Sequence, residues 1–228
     1  MPVPAEPYTF EQLVARARAL AEAGPRQLLG IAGAPGAGKS TLAGRLVAAL
    51  GATAALVPMD GFHLAEAELH RLGRHDRKGA LDTFDGAGFV ALMRRLRGAR
   101  TDGDDEAVTA PAEPSVGDTV YAPEFRRELE ESIAGAIAVP ARVRLVVTEG
   151  NYLLVPAPPW GQLRGLLDQV WFLDLDARER LRRLTDRHIG FGRPPAEASA
   201  RARGTDQVNA DLIETTADRS DVVVRLVG

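Results

Sequence analysis

Apolar and polar positions along the chain switch repeatedly between a helical and an extended period, and the switches mark an alternating α/β order. Phe10, Leu13, Val14, Ala17 and Leu20 form a stripe at helical spacing over 9–23, with Thr9 and Gln12 placed as a capping box and Gly24-Pro25 ending the stretch. Leu28-Leu29-Gly30-Ile31-Ala32 then reads as a buried strand, and Leu42, Leu46, Val47 and Leu50 return to the helical period. A second buried strand is predicted over 54–59, ending in Asp60-Gly61-Phe62-His63, followed by a short helix over 66–72 and a polar stretch to Asp85. Phe89, Val90, Leu92, Met93 and Leu96 mark another helix. The acidic, Gly- and Pro-rich stretch 101–119 has the composition of an exposed insert. Beyond it the pattern predicts an extended piece over 120–125, a helix over 126–137, and strands over 144–148 and 169–173. An arginine-rich helix over 177–188, turn formers over 190–195, a helix over 196–216 and a closing strand over 221–226 complete one domain spanning 1–228. The expected class is α/β with a parallel sheet.

The link between the first buried strand and its helix, Gly33-Ala34-Pro35-Gly36-Ala37-Gly38-Lys39-Ser40-Thr41, spells G-x-x-x-x-G-K-S in the strand–loop–helix context of a phosphate-binding loop. Glycines let backbone N–H groups turn onto phosphate oxygens without a Cβ in the way, and the following helix points its positive dipole end there. Lys39 suits the outer phosphates of ATP, and the Ser40 hydroxyl suits a magnesium ion bound with them. Ligands of open parallel sheets gather beyond the carboxyl ends of strands. Asp60 and Glu149 both fall at such ends, Asp60 as a candidate base and Glu149 as a carboxylate for magnesium, held directly or through water. His63, one short turn beyond Asp60, reads equally as an acceptor contact or as a packed histidine.

Composition narrows the classes. With a net charge of -3 and dispersed arginines, the 228-residue chain lacks the basic surface that nucleic-acid binding requires. No stretch is apolar enough to span a membrane, and the absence of cysteine excludes disulfides and thiolate chemistry. A cytoplasmic protein is expected, and a homodimer is left open. Lys39 and Lys78 are the only lysines. A chain that uses arginine nearly everywhere can keep lysine where a compact ammonium is needed; the phosphate-loop motif gives Lys39 that reading, and Lys78 is read either as a substrate contact or as a survivor of an arginine-rich coding bias.

Four segments carry a resemblance in order: the phosphate loop, Met59-Asp60-Gly61-Phe62, Lys78-Gly79-Ala80-Leu81-Asp82-Thr83-Phe84-Asp85, and Glu149-Gly150-Asn151, with the arginines of 183–193 following. Together they resemble the P-loop metabolite kinases that include uridine kinase, phosphoribulokinase and the bacterial type of pantothenate kinase. The whole is most similar to the branch labelled nucleoside/nucleotide kinase-like or fructose-transport kinase. The resemblance implies a P-loop NTPase fold with a five-stranded parallel sheet flanked by helices, and a helical lid at about 183–200. It implies ATP and magnesium as cofactors, Asp60 as the catalytic aspartate, Glu149 as the acidic magnesium-site residue, and Arg183, Arg187 and Arg193 as lid arginines on the phosphates. Lys78 and Asp82 are placed on the substrate side.

The implied activity is transfer of the γ-phosphoryl group to a hydroxyl of a small metabolite: a sugar or ketose, a pantothenate-like alcohol or a nucleoside. Arg77-Lys78-Gly79-Ala80 stands where uridine kinases carry an acidic ribose-binding residue, which disfavours a nucleoside. Phe125-Arg126-Arg127-Glu128 replaces the Ser-His-Leu pattern of pantothenate kinase. The alternative is a nucleotide-sensing ATPase without a small-molecule acceptor. A regulatory GTPase is disfavoured because neither lysine lies in an Asn/Thr-Lys-x-Asp string.

Overall fold

The computed structural model describes residues 4–99 and 119–227, so the expected insert over 101–119 lies, except for Thr119, outside the described residues. The strands are β1 (Glu6–Tyr8), β2 (Gln27–Ala32), β3 (Ala54–Leu56), β4 (Val120–Arg126), β5 (Glu131–Val139), β6 (Leu145–Glu149), β7 (Gln169–Asp174) and β8 (Val222–Leu226). Six of them form one sheet in the order β1-β8-β7-β2-β6-β3, every neighbouring pair parallel. The expected five-stranded sheet thus gains β1 at the edge beside β8. This strand is three residues long and mostly exposed, so no buried apolar run announces it.

Period-2 alternation sends successive side chains of the inner strands to opposite cores. Leu28, Val146, Val170 and Phe172 enter one core with Phe89 and Met93. Leu29, Ile31, Val147 and Trp171 enter the other with Leu13, Leu42 and Leu46. Helices α1 (Phe10–Glu22) and α2 (Lys39–Leu50) cover the second face, and α4 (Gly86–Gly98) helps cover the first, with the short α3 (Glu66–Arg71) preceding it. A sheet buried on both faces is what near-continuous apolar runs imply. The predicted capping box of α1 is present: Gln12 N–H donates to Thr9 Oγ1 at 3.3 Å, and Thr9 N–H donates to Gln12 Oε1 at 2.8 Å.

Three expectations are corrected. Where a helix was expected over 126–137, β4 and β5 form an antiparallel hairpin. Residues 126–131 are rich in helix formers, but Ile133, Ile137 and Val139 are β-branched and Gly135 holds a φ of +69°, which a helix does not accommodate. Pairing also buries Val120, Ala122 and Val139 in the first core. The strand expected over 54–59 pairs only through Leu56. One more ladder bond follows, from Val57 N–H to Val147 O at 2.9 Å, before Pro58, which has no N–H, releases the chain into the 3₁₀ turn Met59–Phe62. Finally, the helix expected over 196–216 is divided at Gly204 into α6 (Pro195–Arg203) and α7 (Thr205–Glu214), after α5 (Ala177–Gly190). Among the described residues no helix is long and apolar enough to cross a membrane.

Candidate active site

β2 runs into the phosphate-binding loop, and α2 begins at Lys39, so the loop's N–H groups and the helix N-terminus face the same space beyond the carboxyl end of the sheet. Gly36, at φ +82°, is required by sterics as well: a Cβ there would lie 2.7 Å from Leu184 Cγ and 3.1 Å from the Arg180 carbonyl oxygen. The loop is thereby pressed against α5. A cavity of about 1030 Å³ opens over it, and its wall includes Lys39, Ser40, Asp60, Glu149 and Asn151.

These groups are electrically coupled. The Ser40 hydroxyl donates to Glu149 Oε1 at 2.9 Å, and Lys39 Nζ donates to the Ala34 carbonyl at 3.1 Å. Burial pushes the Glu149 carboxyl above its ordinary value and the nearby Asp60 carboxylate adds to this, while Lys39 opposes both. Burial likewise pulls the Lys39 ammonium down, against the attraction of Glu149 and Asp60. A hydroxyl and a buried carboxylate are the hard oxygen donors that magnesium takes. Ser40 and Glu149 therefore fit a magnesium ion.

No family model matches the sequence. The chain is 30% identical over 228 residues to the protein named "Putative uridine kinase C227.14" of Schizosaccharomyces pombe, covering 95% of this chain and 90% of that one. It is 36% identical over 161 residues, 68% of this chain and 86% of the relative, to "ATP-dependent kinase-like protein notR'" of Aspergillus versicolor. Among solved structures, the "putative fructose transport system kinase" of Silicibacter sp. TM1040 superposes with a TM-score of 0.78 at 36% identity, covering 92% of this chain and 98% of the other. The chain belongs to the P-loop kinases, in the group that includes uridine kinase.

Opposite the phosphate loop, the kinase builds the cavity wall from the Met59–Phe62 turn and the β4–β5 hairpin. Gly61 makes this contact close: a Cβ on it would lie 2.4 Å from the Pro123 carbonyl oxygen. His63 is sandwiched between Phe84 and Phe125, with ring centroids 4.0 Å and 4.8 Å away. Its Nδ1–H donates to the Asp60 carbonyl at 2.9 Å, and burial lowers its pKa, which keeps the ring neutral at pH 7. Lys78 lies 5.0 Å from the centroid of Phe125 and is held by Glu66 and by Glu130 Oε2, the latter at 3.2 Å. Asp82 is not brought to this wall. It is turned aside to Arg77 at 2.6 Å and Arg74 at 3.3 Å, so its predicted place on the substrate side is not supported by the geometry.

The helices α5 to α7 form the roof of the kinase. Arg183, Arg187 and Arg193 all reach the cavity. Arg183 is paired with Glu179 at 2.8 Å, whereas the Arg187 side chain makes no hydrogen bond or ion pair among the described residues. Part of Arg187 is open to the cavity, yet the protein packed around it lowers its pKa through desolvation. Such a guanidinium is matched to an anion. Arg201 donates to the Lys78 carbonyl at 3.3 Å and Asn209 to the Gly79 carbonyl at 3.2 Å, so the roof touches the far wall.

Several wall residues escape sequence reasoning. Arg127, 3.8 Å from Asp60 Oδ2 and 5.5 Å from the Phe191 ring, falls in the helix expected over 126–137, and only the hairpin brings it to the cavity. Asp206 and Asn209 sit on α7 with no motif around them. Arg180 is fully buried, donating to Gln207 Oε1 at 2.6 Å and to the Pro35 carbonyl at 3.5 Å, and so ties the phosphate loop to α7. A second cavity of about 820 Å³ shares Gly38, Thr41 and Arg183 with the first and continues past Arg45, Leu175 and Leu226.

Proposed function

We propose that this kinase transfers the γ-phosphoryl group of ATP to a hydroxyl of a small polar metabolite. The observation that carries the reading is the presence of Asp60, Lys39, Ser40 and Glu149 in the wall of one cavity that opens over the phosphate loop. The two cavities meet at Gly38, Thr41 and Arg183, which suits a nucleotide with its base in the smaller one, its phosphates on the loop and its terminal phosphate facing the larger one. Asp60 orients the acceptor hydroxyl and takes its proton as the acceptor oxygen bonds to the γ-phosphorus and the bond to the bridging oxygen of ADP breaks. Lys39 and Arg187 stabilise the charge spread over the transferring group, with Arg183 and Arg193 on the same phosphates. Magnesium, held by Ser40 and Glu149, would neutralise charge on the outer phosphates.

The acceptor faces the His63 sandwich, Lys78 and Asp60. An aromatic floor beside paired charges suits a compact polyhydroxylated molecule or a pantothenate-like alcohol. The word fructose in the name of the Silicibacter protein points the same way, while the uridine of the fission-yeast name fits less well with Lys78-Gly79 in the wall. A coupled ADP-release screen over sugars, ketoses, pantothenate-like alcohols and nucleosides tests this. Release accelerated by a sugar, ketose or related alcohol supports the proposal. ATP turnover that no such molecule accelerates would point instead to a nucleotide-sensing ATPase.

A further inference from the structure

Away from the phosphate loop, one histidine pair is placed by local chain geometry and used by none of the chemistry above. Glu66 and His70 stand four residues apart on one face of α3. The helix closes with Gly73 N–H on the His70 carbonyl at 3.1 Å and Arg74 N–H on the Leu69 carbonyl at 2.8 Å, turning at Gly73 with φ +63°. This turn folds His75 back onto His70, with ring centroids 4.1 Å apart and planes 15° from parallel. His75 Nδ1–H donates to Glu66 Oε2 at 2.6 Å. One nitrogen from each ring and one carboxylate oxygen thus all lie within 4.8 Å of one another.

We propose that Glu66, His70 and His75 form a site for a divalent transition metal of the zinc type at the edge of the large cavity. Two imidazoles and one carboxylate are a donor set for borderline metals, whereas magnesium and calcium take oxygen ligands. Small rotations of the exposed His70 and His75 rings about the half-buried Glu66 would close the present spacing to the roughly 3.3 Å that separates ligands about 2.0–2.1 Å from a tetrahedral zinc ion. The supporting contacts are of the kind that orient metal ligands: Lys78 holds the other Glu66 oxygen, and Glu131 Oε1 accepts from the Glu66 backbone N–H at 3.1 Å. Of the surrounding cations, Arg71 is matched by Glu68 and both Arg74 and Arg77 by Asp82, while Lys78 is shared between Glu66 and Glu130. Glu66 and His75 also line the cavity, which leaves the remaining coordination position to water or to a cavity ligand.

The test is zinc binding by equilibrium dialysis with metal analysis on tag-free, chelator-treated protein, together with the visible absorption of a cobalt-substituted sample. One equivalent of zinc is expected at micromolar concentration, with a four-coordinate cobalt spectrum. His70→Ala and His75→Ala each lower the affinity by at least the roughly ten- to a hundred-fold that loss of an outer-shell partner costs, and His188→Ala leaves it unchanged. Circular dichroism confirms that each variant is folded. Wild-type protein that takes up no zinc at these concentrations, or zinc retained by both His70→Ala and His75→Ala, overturns the site. Neither readout involves phosphoryl transfer, so the result is independent of the activity proposed above.

Discussion

Glu149 occupies a position that costs the unliganded protein stability. Its folded-state pKa is raised above the ordinary value of 4.5, first by burial and then by Asp60. The folded chain therefore binds that proton more tightly than the unfolded chain. The resulting stabilisation is whole below about pH 4.5 and is lost as pH rises through the folded-state value. At neutral pH the raised pKa therefore weakens the fold. Glu149→Gln is expected to melt a few degrees above wild type near pH 7.5, where about 1 kcal/mol moves a chain of this size by about 2–4 °C. The two should coincide near pH 4. Adding ATP and magnesium should reverse the order at neutral pH, because Gln does not hold the cation. Equal melting at both pH values would show that Lys39 already compensates the carboxylate in full. Asp60 and Glu149 were legible from sequence because Glu149 ends a strand, Asp60 lies in the turn just beyond one, and the strand ends of a parallel sheet share an edge. Arg127, Arg180 and Asp206 were not, since their places depend on a hairpin and a helix packing that no local pattern encodes.

The Met59–Phe62 turn and the β4–β5 hairpin meet at Gly61 against Pro123, and that contact sets the wall carrying Phe125, Arg127 and Glu130. Gly61→Ala places a Cβ 2.4 Å from a backbone oxygen, so the hairpin has to move. Displacement of about 1 Å in a positioning element commonly costs up to about a hundred-fold in rate. The kcat/KM for the acceptor should fall by about ten- to a hundred-fold, with the KM for ATP unchanged, because the phosphate loop lies on the opposite wall. An equal loss for both substrates would mean that the hairpin supports the nucleotide side too. The inner strands of the central sheet and helices α1, α2 and α4 follow from apolar period, whereas the exposed edge strand β1 does not. The hairpin does not, because Arg126 to Glu131 favours a helix locally and cross-strand burial overrides it. The division between α6 and α7 at Gly204 shows the same limit: one glycine inside a helical pattern does not disclose whether the chain breaks there.

Across the molecule, the loop end of the sheet gathers a buried lysine, carboxylates and the arginines of the helical roof, which are best matched when a charged ligand is bound. Binding should therefore stabilise the fold as a whole. At a concentration about one hundred times its dissociation constant, ATP with magnesium is expected to contribute about 2.7 kcal/mol and raise the melting temperature by about 5–11 °C. Lys39→Ala should remove most of that shift. The central claim, however, concerns the acceptor side, and Asp60→Asn with the acceptor found by screening tests it most directly. The account predicts that Asp60→Asn binds ATP as wild type does while the rate of phosphoryl transfer falls by about two to four orders of magnitude, the range for loss of a positioned acid or base. Undiminished transfer by Asp60→Asn would contradict it.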